Sequence, residues 1–175
     1  MGKLMSRLMG KFRNPILIIA AAATGFVLYS VFFDKTAAPP VTFISLKGEK
    51  IATADLRGKV VLVNFWATDC ATCIKEMPDI VKTYNKYRAQ GFEIIAVAMK
   101  YDPPNYVLDY TEKNALPFKV ALDPQGELAK AFGDVKLTPT TFIIDRRGNI
   151  VSRILGEPDF PKLHQLLEEK LKEAA

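Results

Sequence analysis

Hydrophobic positions follow two patterns along this chain, unbroken runs and helical spacing. Residues 15–33 (PILIIAAAATGFVLYSVFF) carry no charge, and residues 59–66 (KVVLVNFW) and 92–99 (FEIIAVAM) are almost wholly apolar. The last two have the length of a strand, and a run with no polar face predicts a strand buried on both sides. Between them, Ile74, Met77, Val81, Tyr84 and Tyr87 recur at three- and four-residue spacing. That spacing predicts a helix to about residue 90. Pro78 inside it predicts a kink, and Gly91 a stop. A strand, a helix and a second strand with short joins form a right-handed βαβ unit.

The remaining pattern fills out a sandwich. Residues 41–46 and 50–52 read as short strands across a Lys47-Gly48-Glu49 turn. Residues 103–114 read as a weaker helix with Tyr106, Val107 and Tyr110 as its apolar face. Residues 119–122 predict a short strand and 125–132 a short helix. Residues 140–145 and 149–155 predict a hairpin around Arg146-Arg147-Gly148, and 160–172 a closing helix. This order predicts an α/β sandwich with a mixed sheet, parallel in its first half and antiparallel at the hairpin.

Charge changes the picture of the first run. The chain has 175 residues, 24 of them Lys or Arg and 19 Asp or Glu, for a net charge of +5, and 49% are hydrophobic. Taken whole, these values suggest a basic globule that binds nucleic acid. Yet Lys3, Arg7, Lys11 and Arg13 stand in the first fourteen residues with no acid among them. Residues 34–175 hold 20 basic and 19 acidic side chains. A basic face for phosphates is therefore not indicated, and no nucleic-acid partner is expected. The +4 is an orientation signal instead. The nineteen residues 15–33 would span about 28 Å as a helix, close to the hydrocarbon core of a bilayer. A basic flank before the span places residues 1–14 in the cytoplasm and everything after residue 33 outside. A cleaved signal peptide is the alternative, with Thr36-Ala37-Ala38 as its small-residue site. Both readings export the domain. The expected organisation is a basic segment 1–14, a membrane anchor 15–33, a linker 34–40 and one domain 41–175.

About 140 residues can bury roughly two thirds of their surface, so this domain needs no covalent staple. Its chemistry is concentrated. There are two cysteines, Cys70 and Cys73, and one histidine, His164. No four-ligand zinc site can be built from these in the usual way, and no metal or cofactor is expected. Cys70-Ala71-Thr72-Cys73 falls where a buried strand gives way to a helix. A helix N-terminus offers free N–H groups and partial positive charge, which stabilise a thiolate, the nucleophile of thiol–disulfide exchange. Cys70 at the helix tip is the expected attacking sulfur and Cys73 the resolving one. An inert disulfide is a second reading, although so short a loop removes little entropy from the unfolded chain. Ligation of a metal shared between molecules is a third. CxxC opening a helix after a buried strand favours redox chemistry.

Residues 60–73 (VVLVNFWATDCATC) with Ile74-Lys75-Glu76-Met77-Pro78, and then Leu137-Thr138-Pro139-Thr140-Thr141-Phe142-Ile143-Ile144-Asp145, resemble the two signatures of membrane-anchored thioredoxin-like proteins of the TlpA/ResA/CcmG type. The resemblance covers roughly residues 41–172. It implies a thioredoxin-like three-layer sandwich and electron exchange with disulfides of exported proteins. The partners it implies are apocytochrome c or copper-site proteins as substrates and a transmembrane thiol reductase upstream. Pro139 matches the family's cis-proline, and the backbone of Thr138 before it would pair with an extended substrate segment. Glu76 matches an acid near the cysteine pair that can relay a proton; the plainer reading is a solvated charge in the first turns of a helix. Asn64 stands where thioredoxins often bury an acid, and an amide cannot relay a proton. Trp66 matches the tryptophan flanking the site, where it is expected with Thr138 and Asp69 to contact substrate, or is a core aromatic.

Asp69 departs from the family, which usually has a bulky or neutral residue before the first cysteine. Its charge should disfavour the Cys70 thiolate. His164, Arg146 and Arg147 read as surface groups. A peroxidase is disfavoured because Ala67 stands where that chemistry needs threonine. A disulfide-introducing oxidant and a non-enzymatic copper-binding assembly factor remain as alternatives.

Overall fold

The computed structural model describes residues 36–174, together with Ile19 and Thr24. The chain divides between residues 35 and 36 into two units, of which the second carries the fold. The expected basic segment 1–14 and span 15–33 lie outside the described residues, save Ile19 and Thr24. Among the described residues no helix is long and apolar enough to cross a membrane.

Among the described residues from 36 on, seven strands and four α-helices follow one another: β1 (Thr42–Ile44), β2 (Lys50–Ala52), β3 (Val60–Trp66), α1 (Ala71–Tyr87), β4 (Phe92–Ala98), α2 (Pro104–Lys113), β5 (Lys119–Leu122), α3 (Glu127–Ala131), β6 (Thr140–Ile144), β7 (Ile150–Leu155) and α4 (Phe160–Lys172). Single 3-10 turns cover Thr53–Leu56 and Arg88–Gln90. The main sheet runs β5-β4-β3-β6-β7. β3 is parallel to β4 and antiparallel to β6, so parallel and antiparallel halves meet at β3. This is the mixed sheet that the pattern predicts. β1 and β2 form a separate antiparallel pair. A bridge from Ser45 to Ala121 ties that pair to β5 at the sheet edge.

The central strand sorts the core. All seven residues of β3 are buried, and strand alternation sends odd and even positions to opposite faces. Val61, Val63 and Phe65 pack with Phe43, Ile51, Phe132 and Phe142 under the β1–β2 pair and α3. Val60, Leu62 and Trp66 pack with Met77, Ile80, Val107, Leu163 and Leu167 under α1, α2 and α4. The three layers are therefore three helices, a sheet, and a hairpin with one short helix.

Several local expectations are corrected. Part of the expected linker is docked: Ala38 N–H donates to Gly148 O at 2.9 Å, and Ile150 N–H to Thr36 O at 2.8 Å. Pro78 lies inside α1 and does not end it. Its buried stripe is Cys73, Glu76, Met77, Ile80, Thr83 and Tyr87, rotated from the expected face, and Ile74, Val81 and Tyr84 lie at its margin. On α2, Tyr106 is 58% exposed while Val107 is fully buried. His164 is half-buried, within 2.9 Å of Thr83 Oγ1, and its ring stands edge-on to Tyr87. Burial, and then the Lys86 charge, push its imidazole below the ordinary value.

Arg146 is more than a solvated turn residue. Gly148 supplies the left-handed corner of the hairpin, with φ of +85°. That turn aims Arg146 at the ends of two helical segments. Its Nη2 donates to Leu171 O at 2.9 Å and to Gln90 O at 3.2 Å. Leu171 lies in the last turn of α4, where carbonyls have no partner within the helix. Arg146→Met keeps the apolar stem and removes the donors. Urea unfolding should show a loss of about 1–2 kcal/mol, and Arg147→Met, at the exposed neighbour, a much smaller one.

Candidate active site

The site is built at the end of β3. The chain leaves β3 after Trp66, turns through residues 67–69 and enters α1 with Cys70 as its N-cap. Asp102, buried after β4, holds this turn. Its carboxylate accepts from Thr68 N–H at 2.7 Å and from the Thr68 hydroxyl at 2.5 Å. Cys70 Sγ accepts the N–H of Cys73 at 3.2 Å, so the first sulfur sits on an N–H group that the helix leaves free. Cys70 and Cys73 are joined as a disulfide with Cα atoms 5.2 Å apart. Cys70 is half-buried, whereas Cys73 has no exposed surface. An incoming sulfur therefore reaches Cys70 first.

Glu76 is the unusual member. It lies three residues past Cys73 in the buried stripe of α1 and has no exposed surface. The even parity of Asn64 on β3 turns its amide to the same face. Asn64 Nδ2 donates to Glu76 Oε1 at 3.1 Å and to Thr141 Oγ1 at 3.0 Å. Thr141 is the partner of Asn64 across the β3–β6 ladder. Among the described residues, Glu76 Oε2 and Asn64 Oδ1 have no hydrogen-bond partner. Burial disfavours the carboxylate and raises the Glu76 pKa from 4.5 to about 7; the Asn64 bond pulls it down, and the Glu157 charge pushes it up. The solvated-charge reading of Glu76 is therefore overturned. Asn64 remains incapable of relaying a proton, but it is bonded to the group that can.

The other expected site residues are distributed unevenly. The Thr138–Pro139 peptide is cis. In the β3–β6 register Phe65 faces Thr140, which sets the start of β6 alongside the end of β3 and its turn. Pro139 O accepts from Gly156 N–H at 2.8 Å. Thr138 is half-buried, and its hydroxyl lies 3.4 Å from that of Tyr101. Asp69 is exposed beside Cys70. Trp66 is not a substrate contact. It is fully buried, with its ring centre 5.3 Å from that of Tyr110, because even parity on β3 points it under α2.

Sequence reasoning missed Asp102, Thr141 and the ion pair of Lys75 with Glu157 at 2.8 Å. Asp102 could have been suspected from the Asp-Pro-Pro turn after a buried strand. The other two depend on tertiary register and carry no local signal. Among the described residues, no three His, Cys, Asp or Glu side chains come together as a metal site.

A family model described as Redoxin matches residues 34–167. The chain belongs to the Redoxin family. It is 38% identical to the thiol-disulfide oxidoreductase ResA of Bacillus cereus over 165 residues, covering 90% of this chain and 94% of that protein. A second ResA, from Geobacillus kaustophilus, is 38% identical and covers 82% of this chain and 86% of its own length. Among solved structures, one described as a thioredoxin from Neisseria meningitidis shares 40% identity at a TM-score of 0.74, over 79% of this chain and 91% of that one. One described as the thiol:disulfide interchange protein DsbE from Chlorobium tepidum shares 30% at 0.72, over 78% and 96%. This redoxin is thus a thiol–disulfide oxidoreductase with a thioredoxin-like fold, and its Cys70–Cys73 pair is suited to exchange with disulfide-bearing proteins.

The buried carboxyl of this redoxin should show in its stability. Folded Glu76 keeps its proton up to about pH 7, whereas an unfolded glutamate releases it near 4.5. Between those values the folded state binds more protons, so stability falls as pH rises and levels off above about 7. The single group accounts for about 3 kcal/mol across that window. Glu76→Gln should flatten this part of the profile, as read by urea unfolding of the oxidised protein between pH 5 and 8.

Proposed function

We propose that this chain reduces disulfides in exported proteins, tethered to the cytoplasmic membrane by residues 15–33 with its domain on the periplasmic or extracytoplasmic side. Its substrates would be apocytochrome c or copper-site proteins, in cytochrome c maturation or copper-centre assembly, and a transmembrane thiol reductase would recharge it. The observation that carries the reading is a buried carboxyl on the helix headed by the cysteine pair, with a pKa near neutral at about 7.

The Cys70 thiolate attacks one sulfur of the substrate disulfide and releases the other as a thiolate. Cys73 gives its proton to the Glu76 carboxylate, and its sulfur attacks Cys70. The Cys70–Cys73 disulfide forms and the second substrate sulfur leaves as a thiolate. Both substrate thiolates take up protons, one of them returned by Glu76, so two electrons pass to the substrate. Glu76 suits this task because a group with a pKa near the working pH can both accept and release a proton. The Thr138 backbone before cis-Pro139 would receive the extended substrate segment, and Asp69 would oppose the Cys70 charge.

Cys73→Ser should stop the reaction at the mixed disulfide. In cells it should trap apocytochrome c or a copper-site protein on Cys70, and alkylation should find the wild-type pair mainly as dithiol. A pair held mainly as disulfide would point to an oxidant that introduces disulfides. An inert pair, with nothing trapped and no defect in Cys70→Ala, would defeat the redox role. Asp69→Asn should raise the alkylation rate of Cys70 at neutral pH by about threefold, because a screened surface charge has only a modest effect.

A further inference from the structure

A groove opens beside Thr138 that the proposed reaction does not use. It lies past the end of β4, at the sheet end that carries the cysteine turn: Met99 N–H donates to Trp66 O at 3.0 Å. The groove has a volume of about 260 Å³ and is lined by buried Met99, Ala129 and Val135. Exposed Lys100, Lys130 and Lys136 line it as well. Asp134 is the acid among its lining residues, and Lys136 holds it at 3.0 Å. Lysines elsewhere on the domain are matched in the same way, as Lys75 is by Glu157 and Lys119 by Glu49. Lys100 and Lys130 have no acidic partner among the described residues. Gly126 keeps Lys100 in the groove: its φ is +75°, and a Cβ there would stand 3.0 Å from Lys100 Cδ. The missing side chain leaves the lane in which the Lys100 stem lies. Residues 34–175 as a whole hold 20 basic and 19 acidic side chains, yet this one groove sets three lysines against one aspartate.

Tyr101 joins the groove to the cysteine site. It lines the groove, is 51% exposed, and brings its hydroxyl within 3.4 Å of the Thr138 hydroxyl. A segment held on the Thr138 backbone enters the groove by passing Tyr101. Asp69, exposed beside Cys70, has the opposite sign, so acids next to the substrate sulfur are repelled and acids farther along its chain are attracted. We propose that this groove receives an acidic run of the substrate chain, offset from its disulfide, and so selects exported proteins whose disulfide lies near an acidic segment. The inference rests on the reading of this chain as a reductant of exported proteins and names the chemistry of what it selects. Lys100 and Lys130 supply the unmatched charge. They act on encounter and register, and take no part in the exchange of sulfur or protons.

The test measures how fast the reduced full chain, in neutral detergent micelles, reduces synthetic peptides with one internal disulfide. Each peptide carries a run of glutamates, glutamines or lysines about three residues from the disulfide, roughly 10 Å of extended chain, on one side or the other. On one of the two sides the glutamate peptide should react about fivefold faster than the glutamine peptide at low salt, the effect of two exposed charge pairs. The difference should fade in about 1 M salt, where charges are screened within roughly 3 Å. Lys100→Glu combined with Lys130→Glu should reverse the order and favour the lysine peptide, a result that damage to the fold cannot produce. Lys82→Glu combined with Lys162→Glu changes the net charge equally, on α1 and α4, and should keep the glutamate preference. Equal rates on all peptides, an order unchanged in the Lys100 and Lys130 variant, or the same reversal in both variants would overturn the proposal and leave the reductant reading standing. Equal rates with Lys100 and Lys130 shielded from amine labelling only in phosphatidylglycerol nanodiscs would assign the groove to lipid headgroups and overturn it too. A chain that reduces none of the peptides would remove the reductant reading and the proposal with it.

Discussion

A carboxyl group sits in the core of this protein with no counter-charge paired to it among the described residues, and much of the surrounding structure is arranged to tolerate it. Burying an ionised carboxylate alone is prohibitive in a low-dielectric interior, and the group answers by holding its proton to higher pH. Glu76 does so to about 7. The compensation is a single donor, Asn64 Nδ2, itself braced by Thr141 across the ladder. For that brace to exist, β3 must lie beside β6 in one register and α1 must turn one stripe to the sheet. A shift of one residue along β3 would send Asn64 to the opposite face with Val63 and Phe65. Sheet order, strand register and helix rotation are thus all constrained by the surroundings of one proton.

The larger architecture was legible because it rests on long, regular patterns. Two apolar runs gave the central strands, and the CxxC at the strand–helix junction gave the redox pair. The helix 160–172 also stands where its pattern put it. What escaped was the rotation of α1. Its apolar spacing suggested a face of Ile74, Met77, Val81, Tyr84 and Tyr87; Met77 and Tyr87 are buried, but Ile74, Val81 and Tyr84 lie at the margin and the stripe includes Glu76 and Thr83. Polar residues enter a core when their atoms find partners there. Thr83 bonds to the Asp79 carbonyl and lies against His164, and Glu76 has Asn64. No hydropathy pattern can anticipate Asn64 or His164 as partners, because they come from elements 12 and 81 residues away in sequence.

Tertiary neighbours also account for the residues whose roles moved. Trp66 and Asn64 share one face of β3, yet one became a core aromatic and the other a polar partner. The difference lies in what packs above them: Tyr110 of α2 over Trp66, Glu76 of α1 over Asn64. Arg146 looked like a solvated turn residue because the sequence shows the turn and not the helix end that the turn approaches. The resemblance to a known family located Pro139 and Glu76. It said nothing of the environment that makes Glu76 able to titrate near neutrality.

The two cysteines are chemically alike but are treated differently, and that asymmetry orders the reaction. Cys70 lies at the surface end, with its turn pinned through Thr68 by Asp102 and its sulfur on a free N–H in the first turn of α1. Cys73 lies one turn deeper, fully buried, in the same stripe as Glu76. In the proposed reaction a substrate sulfur meets the first, and Glu76 serves the second as proton carrier. Exchange through a mixed disulfide needs this separation, because the attacking and resolving steps call for opposite conditions. The first is helped by a stabilised, accessible thiolate, and the second by a base that removes a proton from a thiol shielded from water. The junction of β3 with α1 supplies both within one helical turn. The helix N-terminus meets Cys70 through the Cys73 N–H, and the carboxyl proposed to serve Cys73 lies in the same buried stripe.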